Sequence, residues 1–332
     1  MGKKFSIEVL EMGSGSSRPA SRFHLTAQDV IDECGKNGTI NNLSILVTGA
    51  TSGIGIETSR VLALNGAKVF LMGRDQSKLE NVVNNINHEL KSSSGSVQGV
   101  ICDLNSLASV KQFAQKFLQE NSFLNVLILN AGMINYRFTQ TVDGLEQVMG
   151  VNHIGHAYLT QLLMPLLFNS APSRVVVVSS RIHIGPPLDY QALDRMNTSA
   201  RDAQRGWGTF RSYQQSKLAN LLFARALASR FEDKGVTAYS LHPGAIKTNL
   251  GSQVPLSKYL APVVMMFIKE KTIAEGAATT VYCAVKPGLE SENGRYFDDS
   301  TVTNLADQWT DDDLNRFWKW TENIIHEHTT NL

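Results

Sequence analysis

The chain has 332 residues, 31 Lys and Arg against 30 Asp and Glu, 42% hydrophobic residues, 18% charged residues and three cysteines. Near-neutral charge removes the electrostatic ground for a nucleic-acid partner, and a charged fraction below the roughly 25% of ordinary soluble domains excludes disorder and implies a large core. Cys34, Cys102 and Cys283 are odd in number and far apart, so a reducing, cytoplasmic compartment is expected rather than a disulfide framework.

Residues 1–40 read as a partly flexible N-terminal extension. Gly13-Ser14-Gly15-Ser16-Ser17 is linker-like, and Glu8 and Glu11 break any secretory apolar run. Residues 23–31 can form one short helix. The longest apolar stretch, the ten residues 259–268, includes Pro262 and is too short for a bilayer, which needs ~20. From Leu43 the pattern alternates. Short apolar runs at 43–47, 68–72, 97–102, 124–129, 174–179 and 236–241 read as strands, and the four valines of Val175-Val176-Val177-Val178 mark one buried on both faces. Between them lie helical patterns. One runs from a glycine-rich turn to Leu64, and one is capped by Asp75 and carries Leu79, Val82, Val83, Ile86 and Leu90. Others carry Leu107, Val110, Phe113 and Phe117, or span 143–168, bent or ended near Pro165, and 212–231. Strands too apolar to have a wet face, alternating with helices, predict an α/β fold. It is a doubly wound parallel sheet with helices on both faces, a Rossmann fold, in a single domain over 41–332.

The run TGATSGIG, Thr48 to Gly55, sits between the first strand and the first helix. Glycines there permit a tight turn and close approach of backbone to a pyrophosphate, and the helix N-terminus supplies free N–H donors. Gly49, Thr51, Ser52, Gly53, Ile54 and Gly55 are therefore candidate cofactor-binding residues, although G-x-x-x-G-x-G is not the G-x-G-x-x-G fingerprint. Arg74 follows the second strand, where an arginine accommodates a 2′-phosphate, and Gly73 leaves room for it. Asp75 serves better as a helix cap, so NADP(H) is favoured over NAD(H).

Tyr213 and Lys217 are four apart and share a helical face. A free tyrosine titrates near 10, and an adjacent ammonium favours its phenolate, so a depressed Tyr213 is expected. Ser180, at the end of the four-valine strand, is placed to hydrogen-bond a substrate oxygen. Other chemistries are weaker. His153 and His156 lie on one helix, and His326 and His328 flank Glu327, but no third ligand has a clear spacing, so no metal is assigned. Ser180 and His183 lack the G-x-S-x-G elbow of a hydrolase, and Cys102 reads as core.

Thr48–Gly55, Asn130-Ala131-Gly132, Asn152, Ser180, Tyr213 with Lys217, and Pro243-Gly244 stand in the order found in short-chain dehydrogenases/reductases, which the chain resembles from 43 to 325. VNHIGHAYLTQLL, HPGAIKTNL, EGAATTVYCAV and GRYF resemble the retinol dehydrogenase and WW-domain-containing oxidoreductase group, without its WW modules. The resemblance implies that Tyr213 is the general acid/base and that Lys217 lowers its pKa and contacts the nicotinamide ribose. Ser180 would orient the substrate oxygen and Asn152 hold a water of the proton relay. It also implies that Asp103 and Leu104 contact the adenine, that Asn130, Ala131 and Gly132 line the cofactor cleft, and that Pro243, Gly244, Ile246 and Thr248 hold the carboxamide. Leu129 departs from the pattern, since many members have an asparagine there, and the 32 residues between Ser180 and Tyr213 are a long gap, read as a lid containing Trp207. The expected activity is interconversion of a carbonyl and an alcohol on a small apolar substrate, a retinoid, steroid or lipid-derived carbonyl. The apolar segment 254–268 suits such a substrate. The alternative is a nucleotide-binding regulatory or scaffold protein. Met1-Gly2-Lys3-Lys4-Phe5-Ser6 fits the myristoylation pattern, which implies weak peripheral membrane contact, and homo-oligomerisation stays open.

Overall fold

The computed structural model describes residues 24–34, 40–90, 93–135, 137–184, 187–191, 193–194, 209–246, 271–304 and 308–332. Gly2, Trp207, Thr248 and the segment 254–268 lie outside the described residues. In chain order the elements are α1 (Ala27–Cys34), β1 (Ser44–Thr48), α2 (Gly53–Leu64), β2 (Lys68–Gly73), α3 (Gln76–Glu89), β3 (Ser96–Ile101), α4 (Leu107–Glu120) and β4 (Val126–Leu129). They continue with α5 (Gly155–Asn169), β5 (Ser173–Val178), α6 (Thr209–Phe231), β6 (Val236–His242), α7 (Ile273–Val285), β7 (Tyr296–Asp298), β8 (Thr301–Thr303) and α8 (Asp311–Thr329).

The eight strands form one sheet in the order β3-β2-β1-β4-β5-β6-β7-β8, parallel except for the β7–β8 pair. The order reverses between β1 and β4, and in such sheets ligands bind outside the carboxyl ends of the strands at that point. Alternate residues of the same strands feed two cores. Leu46, Phe70, Leu127, Val175 and Val177 pack with α4, α5, α6 and α8, whereas Ile45, Val47, Val69, Leu71, Val176 and Val178 pack with α1, α2, α3 and α7.

Three local expectations change. β3 is an edge strand whose Ser96, Gln98, Gly99 and Ile101 are exposed, so it does have a wet face. The helix expected from 143 begins only with the short turn Gln147–Met149, because the Asp143 carboxylate instead accepts the Leu107 amide at the start of α4, at 2.9 Å. A π turn, Gly150–Ile154, then precedes α5, and Pro165 lies within α5 rather than ending it. Inside the stretch read as an extension, α1 buries Ala27, Val30, Ile31 and Cys34, a helical face, in the second core.

Candidate active site

The turn after β1 is shaped by backbone crowding. Gly49 has φ 66°, and a Cβ on it would stand 2.8 Å from Ala131 Cα. A Cβ on Gly55 would stand 2.3 Å from the Gly49 carbonyl oxygen and 2.6 Å from Asn130 Nδ2. Only glycine lets these chains touch. Thr48 Oγ1 accepts the amides of Asn130 and Ala131 at 2.9 and 3.0 Å, and Asn130 Nδ2 donates to the Thr48 carbonyl at 2.8 Å. The cleft strand end is thereby tied to the turn, with Gly132 next in line. Ser52 starts α2 without a side-chain cap, which leaves its first amides available, and Asn130 Oδ1 is buried with no partner among the described residues. A pyrophosphate fits this cradle. Thr51 lies against Gly73, where a Cβ would meet Thr51 Cγ2 at 2.6 Å, and Ile54 lies against Gly276.

Arg74 is exposed at the end of β2. Asp75 caps α3, its Oδ1 accepting the Lys78 amide at 3.0 Å, and that bond holds its carboxyl below the usual range. Asp103 Oδ1 accepts the Asn105 amide at 3.0 Å, and the Asp103 amide donates to Ser109 Oγ at 3.0 Å. Leu104 is buried, and its carbonyl oxygen would lie 2.8 Å from a Cβ on Gly155, so α5 starts pressed against this loop.

Ser180, Tyr213, Lys217 and Asn152 converge beyond the end of β5. Lys217 is 3% exposed, and its Nζ donates to the Val178 carbonyl at 2.9 Å and lies 5.6 Å from the Tyr213 ring centroid. A Cβ on Gly132 would lie 3.3 Å from that Nζ and 3.7 Å from Asn152 Oδ1, so Gly132 floors the cleft. Burial lowers Lys217 to about 8 and raises Tyr213 to about 12, the latter opposed by a hydrogen bond with Ser180. Burial in this arrangement therefore moves Tyr213 in the direction opposite to the one expected from an adjacent ammonium. Asn152, fully buried in the π turn, is pinned at both ends of its amide. Oδ1 accepts the Met133 amide at 2.8 Å, and Nδ2 donates to the Met133 carbonyl and Ser216 Oγ, each at 3.0 Å. Ser216 in turn donates to the Tyr213 carbonyl at 2.7 Å.

After β6, Pro243 leads into Gly244, whose φ of 97° and close approach by the Lys271 stem, 2.5 Å from a Cβ position to Cδ, exclude a side chain. Ile246 pairs with Lys271 in an isolated bridge, and Lys271 forms an ion pair with Asp299. Lys271 stands in no pattern that marks chemistry, whereas Thr48 opens the TGATSGIG run and Ser216 lies between Tyr213 and Lys217, and only the structure gives each its supporting contacts. His153 and His156 turn to different partners, Thr321 and Thr48, and among the described residues no three His, Cys, Asp or Glu gather for a metal.

The sequence profile described as short chain dehydrogenase matches residues 44–187. Mouse retinol dehydrogenase 14 is 37% identical over 302 residues, which cover 88% of each chain. The chain belongs to the short-chain dehydrogenase/reductase family. Within it, human retinol dehydrogenase 12, 40% identical over 81% of this chain and 82% of its own, supports membership of the retinol dehydrogenase group. A solved short-chain dehydrogenase of Shigella flexneri, complexed with NADP, is 26% identical over 80% of this chain and all of its own, with a TM-score of 0.61. This dehydrogenase/reductase is thus an oxidoreductase on a fold that binds a nicotinamide cofactor. No helix among its described residues is long and apolar enough to cross a membrane.

Proposed function

We propose that this dehydrogenase/reductase interconverts a carbonyl and an alcohol on a small apolar substrate with NADP(H) as its preferred cofactor. The observation that carries the reading is the convergence of Ser180, Tyr213, Lys217 and Asn152 over Gly132, beside a turn shaped for a pyrophosphate. When bound, the nicotinamide supplies or accepts the hydride. Tyr213, protonated at neutral pH, delivers a proton to the oxygen of a carbonyl undergoing reduction, and Ser180 holds that oxygen. Lys217 carries its charge below about pH 8 and stabilises the phenolate left behind, while its amine would hold the nicotinamide ribose when the cofactor binds. Asn152, its side-chain amide committed to Met133 and Ser216, would hold at its main-chain carbonyl the relay water that returns a proton to Tyr213.

Three arguments support the finer assignments. Arg74 is exposed beyond Gly73 while Asp75 is committed to its cap, which favours an arginine contact to a 2′-phosphate. By the family resemblance, Asp103, Leu104, Asn130 and Ala131 would meet the adenine and ribose side, and Pro243, Gly244 and Ile246, with Thr248 outside the described residues, the carboxamide. The retinol dehydrogenase names of the relatives and the apolar segment 254–268 favour a retinoid-like or other lipid-derived substrate. A cytoplasmic protein with weak, reversible membrane contact through Gly2 would meet such substrates. The test is NADPH oxidation, followed at its absorbance, across a panel of apolar and polar carbonyls that includes retinal. Turnover concentrated on apolar carbonyls supports the proposal. NADPH binding without turnover on any of them would instead make the chain a nucleotide-binding scaffold.

A further inference from the structure

His156 occupies a place that the catalytic reading does not use. It lies in the first turn of α5, 1% exposed, between the last residue of β1 and the π turn that carries Asn152. Nε2 is 2.8 Å from Thr48 Oγ1, and Nδ1 is 3.0 Å from the Asn152 carbonyl oxygen. The partners decide which nitrogen carries the hydrogen. A carbonyl can only accept, so Nδ1 is the donor. Thr48 Oγ1 already accepts two amides, from Asn130 and Ala131, so its own hydrogen points at Nε2, which accepts. A second proton on the ring would set Nε2–H against the threonine hydrogen. The neutral Nδ1–H ring satisfies every group in the chain.

That chain is continuous. It runs from the amides of Asn130 and Ala131 through Thr48 and His156 to the Asn152 backbone, and from the Asn152 amide through Ser216 to the Tyr213 carbonyl. A π turn exposes backbone carbonyls that an ordinary helix would use internally, and such turns occur at functional sites. Here the turn is braced from outside by an imidazole whose other edge grips the residue that anchors the cofactor cleft.

We propose that His156 is a positioning residue that couples the cofactor turn to the Asn152 carbonyl, so that one buried ring sets both the cradle and the start of the proton path. The proposal rests on the catalytic reading above for its effect on turnover, and on the hydrogen-bonded chain alone for the coupling.

The two edges of the ring can be removed separately. In His156→Gln the side-chain carbonyl reaches the Nε2 position and keeps the Thr48 contact, but nothing donates to Asn152. In His156→Asn the amide stands at the Nδ1 position and keeps the Asn152 contact, but the Thr48 hydroxyl hydrogen is left without an acceptor. The expected result is a split of about tenfold, the size of one buried hydrogen bond. His156→Gln loses more in kcat than in NADPH affinity, and His156→Asn loses more in NADPH affinity than in kcat. His156→Leu loses in both, and if it fails to fold the first two variants still decide. Amide hydrogen exchange on the cofactor-free protein reads the same split without turnover. His156→Gln should speed exchange at residues 150–154 more than at 48–55, and His156→Asn the reverse. Equal changes in both regions for the two variants, or none, would overturn the coupling. A wild-type protein that reduces no carbonyl while the exchange split persists would sink the catalytic reading and leave the coupling standing.

Discussion

Beyond β1 and β4 the chain is shaped by its own backbone. Glycines at 49 and 55 let two segments touch, and Thr48 and Asn130 tie them with hydrogen bonds along the turn. Along β6 and β7 and just after β5 the arrangement is the opposite. Bulky polar side chains from elements far apart in sequence are buried together, and several are unpaired among the described residues: His183 Nε2, Ser240 Oγ, His242 Nδ1 and Tyr296 OH. Ser240 lies opposite Tyr296 and His242 opposite Asp298 in the strand register, and the His183 ring packs edge-on against Tyr296 at 4.8 Å. Each unpaired buried group costs about 1–3 kcal/mol. The cofactor turn is thus braced by its own segments and leaves Asn130 Oδ1 unpaired among the described residues, whereas the catalytic side carries more such buried groups, a polar surplus suited to ordered water. One region is a backbone problem and the other a problem of burial, and substitutions should fail in them differently.

The largest expected effect lies on the catalytic side. Tyr213→Phe should lower turnover by roughly 10²–10⁴ while NADPH titrations stay near wild type, because only the proton donor is removed. Near-wild-type turnover in the purified variant would take Tyr213 out of the mechanism.

Stability against pH comes next. Burial lowers His156 to about 4 and His153 to about 3 from 6.5, so below 6.5 the unfolded chain binds protons that the folded one refuses. Their contribution is intact above pH 6.5 and is lost on acidification, on the order of 3 kcal/mol from His156 by pH 4. Glu146 acts in the opposite sense. Burial raises it to about 7 from 4.5, so the folded protein gains stability as pH falls from 7 to 4.5. Glu146→Gln should therefore steepen the acid loss seen in denaturant titrations between pH 7 and 4.5. An unchanged slope would show that Glu146 is ionised in the folded protein.

On the backbone side, Gly55→Ala drives a methyl into the Gly49 carbonyl and should cost about 1–3 kcal/mol of stability together with NADPH affinity. A fully stable variant with ordinary affinity would show that the turn yields, which would erase the contrast between the regions. The smallest effect is at the surface. Arg74→Ala should weaken NADPH about tenfold more than NADH, at the low end for a charge-assisted contact because Arg74 is exposed. Equal losses for both cofactors would mean that Arg74 does not read the 2′-phosphate.

What the sequence by itself determined follows the same division. The strand runs, the glycine turn, the Asp75 cap and the Tyr213–Lys217 spacing are local patterns, set by pleat, helix period and backbone sterics within a few residues. They place the doubly wound sheet and the cofactor end of the cleft. Capping boxes at Thr272–Glu275 and Thr310–Asp313 are equally local marks of the starts of α7 and α8. Only the tertiary structure decided the rest. Asp143 serves α4 instead of opening a helix of its own, β3 is wet because it is the outermost strand of the sheet among the described residues, and burial among other elements raises Tyr213. His156, read from the sequence as a weak metal candidate, is placed between Thr48 and Asn152 by a strand end 108 residues away. Periodicity and propensity act over one or two turns of chain, whereas burial and hydrogen-bond partners are properties of whatever the fold brings alongside.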